Sequence, residues 1–394
     1  MKRKRIVLFG AGPACLMAAI QLSEKHEVHL YEKGKTIGRK FLVAGNGGFN
    51  LTNQATGSAL INAYSNHPIL HDALQKFDSN NTREWLSNLG IETFVGSSGR
   101  VFPIKGVKPV QVLERIKNKL TTSGVIIHLN HEFVGFNEAI QPLVSLNDET
   151  REIAADHYIF GLGGGSWSKT GSNDKWMAHF NAVGIDTKPF KSSNCGLCID
   201  WEKEFRECHE GTPLKNMAVT VGDKTSKGEA LITEYGLEGN SIYPIVPQIR
   251  TALEAGKKPF LYINFKPNSS VEQLVAKIER KSIKPKNYGY VFSIEKAVVQ
   301  MVKSTLNKAD YLNPITFAKR LQDVPIQIMD LRPVEEAIST VGGIPMSAVN
   351  ADFSLRKYQH ISVIGEMLDW DAPTGGFLLQ GCFSTGFVVG VKLG

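Results

Sequence analysis

Several things are scarce in this chain of 394 residues. No stretch approaches the ~20 consecutive apolar residues of a membrane span, so no membrane role is expected. Cysteines number five; an odd count without a secretion signal argues for reduced thiols over a disulfide scaffold. Lys2-Arg3-Lys4-Arg5 resembles the basic start of a signal peptide, but the apolar run behind it is broken at Gly10 and no small-residue cleavage site follows. A cytoplasmic location is therefore expected. Repeats and low-complexity tracts are absent. Cys195-Gly196-Leu197-Cys198 and Cys208-His209 lack a second closely spaced pair, so no metal site is expected. On a strand, positions i and i+3 face opposite sides, which also argues against a redox disulfide there. An acidic excess is missing too: net charge is +7 and the pI near 9.0. The basic residues (Lys257-Lys258, Lys277 to Lys286) are scattered and not gathered with aromatics, which favours a basic surface or an anionic small-molecule substrate over a nucleic acid partner.

What is present is an ordinary globular balance, 42% hydrophobic and 21% charged, with room for two or three domains. Its most informative features stand at opposite ends. Near the start, the apolar run Lys4 to Phe9 precedes Gly10-Ala11-Gly12-Pro13-Ala14-Cys15, and Glu32 follows the strand Val28 to Tyr31. This reads as the pyrophosphate turn of a dinucleotide-binding βαβ unit. Gly10 permits the tight turn, Gly12 lets backbone approach a pyrophosphate, and Pro13 suits the first turn of a helix. That helix, about Pro13 to Glu24 with Ala14 in its first turn, aims its positive end at the phosphates. Glu32, with Lys33 beside it, can accept hydrogen bonds from a ribose. Cys15 stands where the fingerprint has its third glycine.

Near the end, the strand Ile361 to Ile364 leads to Gly365-Glu366, then to Gly375-Gly376-Phe377 at the entry of a closing helix. A nicotinamide-only enzyme completes its cofactor site within its first ~150 residues. A site built from both termini suggests a longer, bent ligand, namely FAD. Glu366 is placed to hold the ribitol, with Asp369 and Asp371 as rivals. The Gly375-Gly376 helix start is placed to face the flavin pyrimidine edge, and Gly381, Cys382, Ser384 and Gly386 to pack on the sheet. No second complete glycine turn appears, so NAD(P)H, as a possible electron donor, has no separate Rossmann domain. Flavin disulfide reductases carry an early CxxxxC; none is present.

Residues 1–190 and 336–394 share alternating apolar runs and helical segments, whereas 191–268 and 320–335 hold short alternating strands and 269–319 a Lys-rich helical patch. The fold class expected is α/β: a discontinuous FAD-binding Rossmann-like domain with an inserted β-rich domain and a small helical subdomain. The strand His131 to Phe136, with Val134, could pass near an adenine. The strand Asp156 to Leu162 ends in Gly163-Gly164-Gly165-Ser166. Gly45, Asn46, Gly47, Gly48, Asn50 and Asn53 form a glycine-asparagine loop able to present several N–H groups to the cofactor, with Arg39 and Lys40 as countercharge.

Gly38-Arg39-Lys40 through Asn50-Leu51-Thr52-Asn53, Gly99-Arg100-Val101-Phe102-Pro103, Gly163 to Ser166, Gly228 to Thr233 with Gly236-Leu237, Thr340-Val341-Gly342-Gly343 and Gly365-Glu366 to Phe377 together resemble the YhiN/BaiN-like family of FAD-dependent oxidoreductases, itself distantly similar to fumarate-reductase-type flavoproteins. The likeness spans most of the chain. It implies an FAD domain, a β-rich inserted domain and a small helical domain, and it leaves the substrate open. Gly48-Phe49 stands where the family usually has Arg-Cys, in a loop expected beside the flavin.

The expected activity is hydride transfer between the flavin N5 and a small-molecule substrate or NAD(P)H. The alternative is an FAD-containing binding or redox-sensing protein, RNA-associated and without turnover. Arg100, with Lys105 near, is the candidate to hold an anionic substrate, and His209 and Tyr235 are candidate proton donors. The oligomeric state is left open.

Overall fold

The computed structural model describes residues 2–43, 49–167, 171, 173–280 and 283–394. The chain divides into two compact units, Met1–Lys191 with Ile338–Gly394, and Ser192–Ala337.

The first unit is built on a five-stranded parallel sheet. Strand β1 (Arg5–Phe9) is central; helix α1 (Pro13–Leu22) returns the chain to β2 (Glu27–Glu32) at its side. Ile126–Leu129 extends the sheet beyond β2, and His157–Phe160 and Ile361–Val363 extend it on the other side of β1. All the pairings are parallel, with Leu8 between Leu30 and Ile159. Ile6, Val7 and Leu8 have no exposed surface, as a strand covered on both faces requires. An antiparallel meander (Glu132–Phe136, Pro142–Leu146, Glu149–Glu152) lies in the crossover before His157. A second small sheet pairs Thr52–Asn53 and Thr93–Val95 with Arg100–Pro103.

The closing helix runs Phe377–Leu393, and small residues let it press on α1, not on the sheet as its composition suggested. A Cβ on Gly386 would stand 2.2 Å from the Ala14 carbonyl oxygen, and one on Gly390 2.6 Å from Gln21 Cβ. Both helices are apolar around most of their circumference, as buried helices are. His26 joins the two ends of the chain: its Nδ1 accepts from the Lys4 N–H at 3.2 Å, so its Nε2–H donates to the Leu393 carbonyl at 2.7 Å. At the other end of the helix, fully buried Gln380 accepts from the hydroxyls of Thr52 (2.6 Å) and Thr82 (2.7 Å). Its amide donates to the Phe77 carbonyl at 2.8 Å.

The second unit holds a seven-stranded sheet in the order Val324–Gln327, Phe260–Asn264, Pro213–Val221, Lys224–Thr233, Gly236–Glu238, Leu197–Cys198, Asp330–Leu331. Its neighbouring strands pair antiparallel, with a bulge between Leu214 and Met217. Within Cys195-Gly196-Leu197-Cys198 only Leu197–Cys198 forms a strand. The helices between Val271 and Leu321 do not form a separate body: Leu274, Phe317 and Leu321 share one core with Val219 and Ile263 of the sheet.

His157, at the start of its strand, is buried, and its Nε2 lies 2.9 Å from Ser362 Oγ. Burial lowers its pKa to about 4, with His360 and Lys4 acting the same way. The folded chain therefore keeps it neutral down to that pH, while the unfolded chain takes up a proton near 6.5. Stability should fall as pH drops from about 6.5 to 4, by about 3 kcal/mol from this group. Urea unfolding at pH 7 and 4.5 should show that loss shrinking in His157→Gln, and an equal loss in the variant would refute the assignment.

Candidate functional site

The carboxyl ends of the parallel strands open onto a cleft of about 340 Å³. It lies where the chain leaves β1 in one direction and the sheet continues in the other, the place where doubly wound sheets bind ligands. Gly10 follows β1 with φ +93°, and a Cβ there would meet the Gly161 carbonyl oxygen at 2.5 Å. No other residue fits that turn. Gly12, in extended conformation, caps α1, and Pro13 occupies the first turn. The N-terminal N–H groups of α1 thus meet the cleft without any capping side chain.

Glu32, at the end of β2, accepts from two main-chain N–H groups, Ala11 at 2.8 Å and Gly34 at 2.7 Å. Its carboxylate therefore ties the glycine turn to the β2 exit before any ribose is considered. Cys15 replaces the third glycine because Gly161 makes room for it: a Cβ on Gly161 would stand 2.6 Å from Cys15 Sγ. The small residue has moved from the helix to the facing strand end. Burial raises the thiols of Cys15 and Cys382 far above the ordinary range, so neither serves as a thiolate nucleophile.

Lys40 and Glu366 meet across the cleft at 3.1 Å, and Lys40 also donates to Ser166 Oγ at 2.9 Å. Glu366 sits in a 3-10 turn, Gly365–Met367, held by the Gly365 N–H on Thr385 Oγ1 (3.1 Å) and Trp370 Nε1–H on the Gly365 carbonyl (2.8 Å). Its rival Asp369 is occupied elsewhere, by Lys188 at 2.7 Å and the Gly342 N–H at 3.1 Å.

The cleft is lined by Gly10, Gly12, Pro13, Ala14, Glu32, Lys33, Arg39, Lys40, Val134, Gly163, Gly365 and Glu366 among the residues expected from sequence. Gly45 to Gly48, including Asn46 and Gly47, lie outside the described residues. Asn50, Gly164, Gly375, Gly376, Phe377 and Arg100 do not line this cleft. Physical reasons are visible for three of them. Gly164 leaves room for Thr340, whose Oγ1 would be 2.4 Å from a Cβ. Gly376, at φ +101°, leaves room for the Thr52 backbone, whose carbonyl would stand 2.2 Å from a Cβ; its need for glycine comes from the protein and not from a ring. Arg100 lies instead beside Gly375, whose Cβ would be 3.4 Å from its Nε, and Asn53 donates to the Gly375 carbonyl at 3.1 Å. In the second unit, His209 Nε2 faces Gln300 Oε1 at 2.9 Å, and Tyr235 donates to Glu238 under the Arg332 guanidinium.

Sequence reasoning missed Tyr31, Trp176 and His179, which also line the cleft. Tyr31 was within reach, being the last residue before Glu32; the other two come from a helix, Lys175–Ala182, with no motif of its own. The buried Trp176 Nε1 has no hydrogen-bond partner among the described residues.

The model of the HI0933-like protein Rossmann domain matches residues 4–392. The chain belongs to the HI0933-like family. It is 24% identical over 409 residues to 3-dehydro-bile acid delta(4,6)-reductase of Clostridium scindens, covering 98% of each chain. It is 23% identical over 406 residues to the ribosomal RNA dihydrouridine synthase of Haemophilus influenzae, again with 98% of each covered. Among solved structures the fold is similar to 3-ketosteroid-delta4-(5alpha)-dehydrogenase from Rhodococcus jostii RHA1, with TM-score 0.51, 11% identity, and 99% and 96% of the two chains covered. Among the described residues no helix is long and apolar enough to cross a membrane.

The cleft fits FAD. It offers a glycine turn no side chain can enter, an uncapped helix N-terminus for a diphosphate, basic side chains at Lys33, Arg39 and Lys40, and an orphaned indole N–H. Two outcomes follow. Gly161→Ala should push against Cys15 Sγ and lower both melting temperature and FAD content, while Cys15→Gly in the same chain should restore them; an unaltered single variant would mean that the helix and strand have slack. Glu32→Lys removes the acceptor of two N–H groups, each charge-assisted bond contributing about 1.5–3 kcal/mol, so FAD affinity measured by fluorescence quenching should fall at least tenfold.

Proposed function

We propose that the protein is a flavin-dependent reductase of a carbon–carbon double bond conjugated to a carbonyl, with NAD(P)H as electron source. The observation that carries the flavin part is the cleft itself, built from β1, β2, the Arg39–Val43 helix and the Gly365–Met367 turn. The substrate class rests on the two full-length relatives: one is named for reducing a 3-dehydro bile acid at delta(4,6), the other for making dihydrouridine, a pyrimidine reduced in its ring. Both names describe saturation of a double bond activated by a carbonyl.

Bound FAD supplies hydride transfer. The residues Gly10 to Ala14 would receive its diphosphate, with Arg39 and Lys40 as countercharge, Glu32 and Lys33 its adenosine end, and Glu366 its ribityl chain. Asn50, Gly163, Gly164 and the Gly375-Gly376-Phe377 helix start remain candidates for the flavin end. Arg100 is assigned to an anionic group of the substrate: it is half-buried and no side-chain or backbone partner is described for its guanidinium. An oriented guanidinium fits a carboxylate or phosphate in a two-pronged manner.

A second reading has its own support. Residues 257–320 carry thirteen Lys and Arg against four Asp and Glu, a net +9, although the whole chain is only +7. A polyanionic substrate such as RNA would use that segment, and its binding would weaken steeply with salt.

Purified protein should be yellow and release FAD on denaturation. Anaerobic NADPH or NADH should bleach its visible spectrum, and a conjugated enone or a uridine-containing RNA should restore it. Arg100→Met should raise KM for an anionic substrate at least tenfold while leaving bleaching by the nicotinamide unaltered. Colourless protein that takes up NAD would overturn the proposal.

A further inference from the structure

The charges lining the cleft are unequal in their ties. Glu32 is held by two backbone N–H groups. Among the described residues Lys33, Arg39 and Lys175 of the lining have no ion-pair partner, whereas Lys40 is committed to Glu366 and Ser166. The Glu366 side chain is only 15% exposed and its turn is fixed by Thr385 and Trp370. A carboxylate in that position needs a partner. Lys40 is 30% exposed, on a five-residue helix and a flexible stem, so of the two it is the one free to move.

We infer that Lys40 is an exchangeable counter-ion of this cleft: it neutralises Glu366 while the site is open and is drawn to the diphosphate when the cofactor loads. This rests on the flavoprotein reading. A diphosphate brings negative charge into a cleft that already holds the Glu366 side chain beside Lys40, and one lysine cannot serve both at close range. The exchange is favourable when the ligand also brings hydroxyl donors that replace the ammonium at Glu366, as the ribityl chain of FAD does. It is unfavourable for ADP, which has the diphosphate but no ribityl chain. Lys40 is thus a positioning residue that links diphosphate binding to the presence of the polyol.

The test compares ADP and FAD binding to full-length apo-protein by calorimetry in wild type, Glu366→Gln, Lys40→Met and the double variant. Exchange predicts opposite signs for Glu366→Gln. ADP should bind at least threefold tighter, because Lys40 is released from its competitor, and FAD should bind weaker, because the acceptor for its hydroxyls is poorer. Lys40→Met should weaken FAD at least tenfold and ADP by less, and the double variant should bind ADP less tightly than Glu366→Gln, because it has no lysine to release. Melting temperatures of the apo-proteins supply a second readout: if the two groups pair in the open site, the double variant should be no less stable than Lys40→Met. Unchanged or weaker ADP binding by Glu366→Gln, or full FAD affinity in Lys40→Met, would overturn the inference and leave a fixed structural ion pair. Wild-type protein that takes up ADP but no FAD would count against the flavin reading alone, since the ADP arms still decide the exchange.

Discussion

The approach of the last helix to the first, backbone against backbone at Gly386 and Ala14, is the contact on which the first unit depends. The two helices are more than 350 residues apart in the chain, so their closure carries a large loop-entropy cost. What offsets it is burial and satisfied polar groups. Gly386 and Gly390 remove side chains where the backbones meet, His26 ties Lys4 to the end of the closing helix, and Gln380 knots its start to Thr52, Thr82 and Phe77. Each group in that knot is buried or nearly so, and losing one partner would strand another.

The cleft inherits its geometry from this closure. Thr385 of the closing helix holds the Gly365 N–H, which sets the turn carrying Glu366. Glu366 in turn reaches Lys40 near the start of the chain. On the other wall, Glu32 fixes the glycine turn through Ala11 and Gly34. Two acids are therefore arranged before any ligand arrives, one by main-chain donors and the other by a lysine. The first is rigid and the second can be traded, which gives the two ends of a long nucleotide different degrees of preorganisation.

The strands were legible because each is a short apolar run between turn residues: Ile6 to Phe9, Val28 to Tyr31, Tyr158 to Phe160 and Ile361 to Val363 are buried as read. Boundaries shifted by a residue or two, as helix and strand ends do. The strand at Leu197–Cys198 is shorter than the apolar run around it. The cleft wall formed by His131 to Val134 and the acids Glu32 and Glu366 were also within reach, since each sits next to a strand end. Trp176 and His179 were not: they belong to a helix brought over the strand ends by the crossover, and no local pattern marks that.

By itself the sequence determined the parallel strand–helix–strand beginning, the glycine turn and the acid after β2, because these follow from local sterics and from spacing along one chain segment. Tertiary structure alone decided what each small residue is for. Cys15 is tolerated because Gly161, far away in sequence, faces it. Gly376 is required by Thr52, and Gly386 by Ala14. Lys40 finds Glu366 only when the two ends of the chain share one sheet. A glycine in a sequence announces that something comes close; only the packed fold says what.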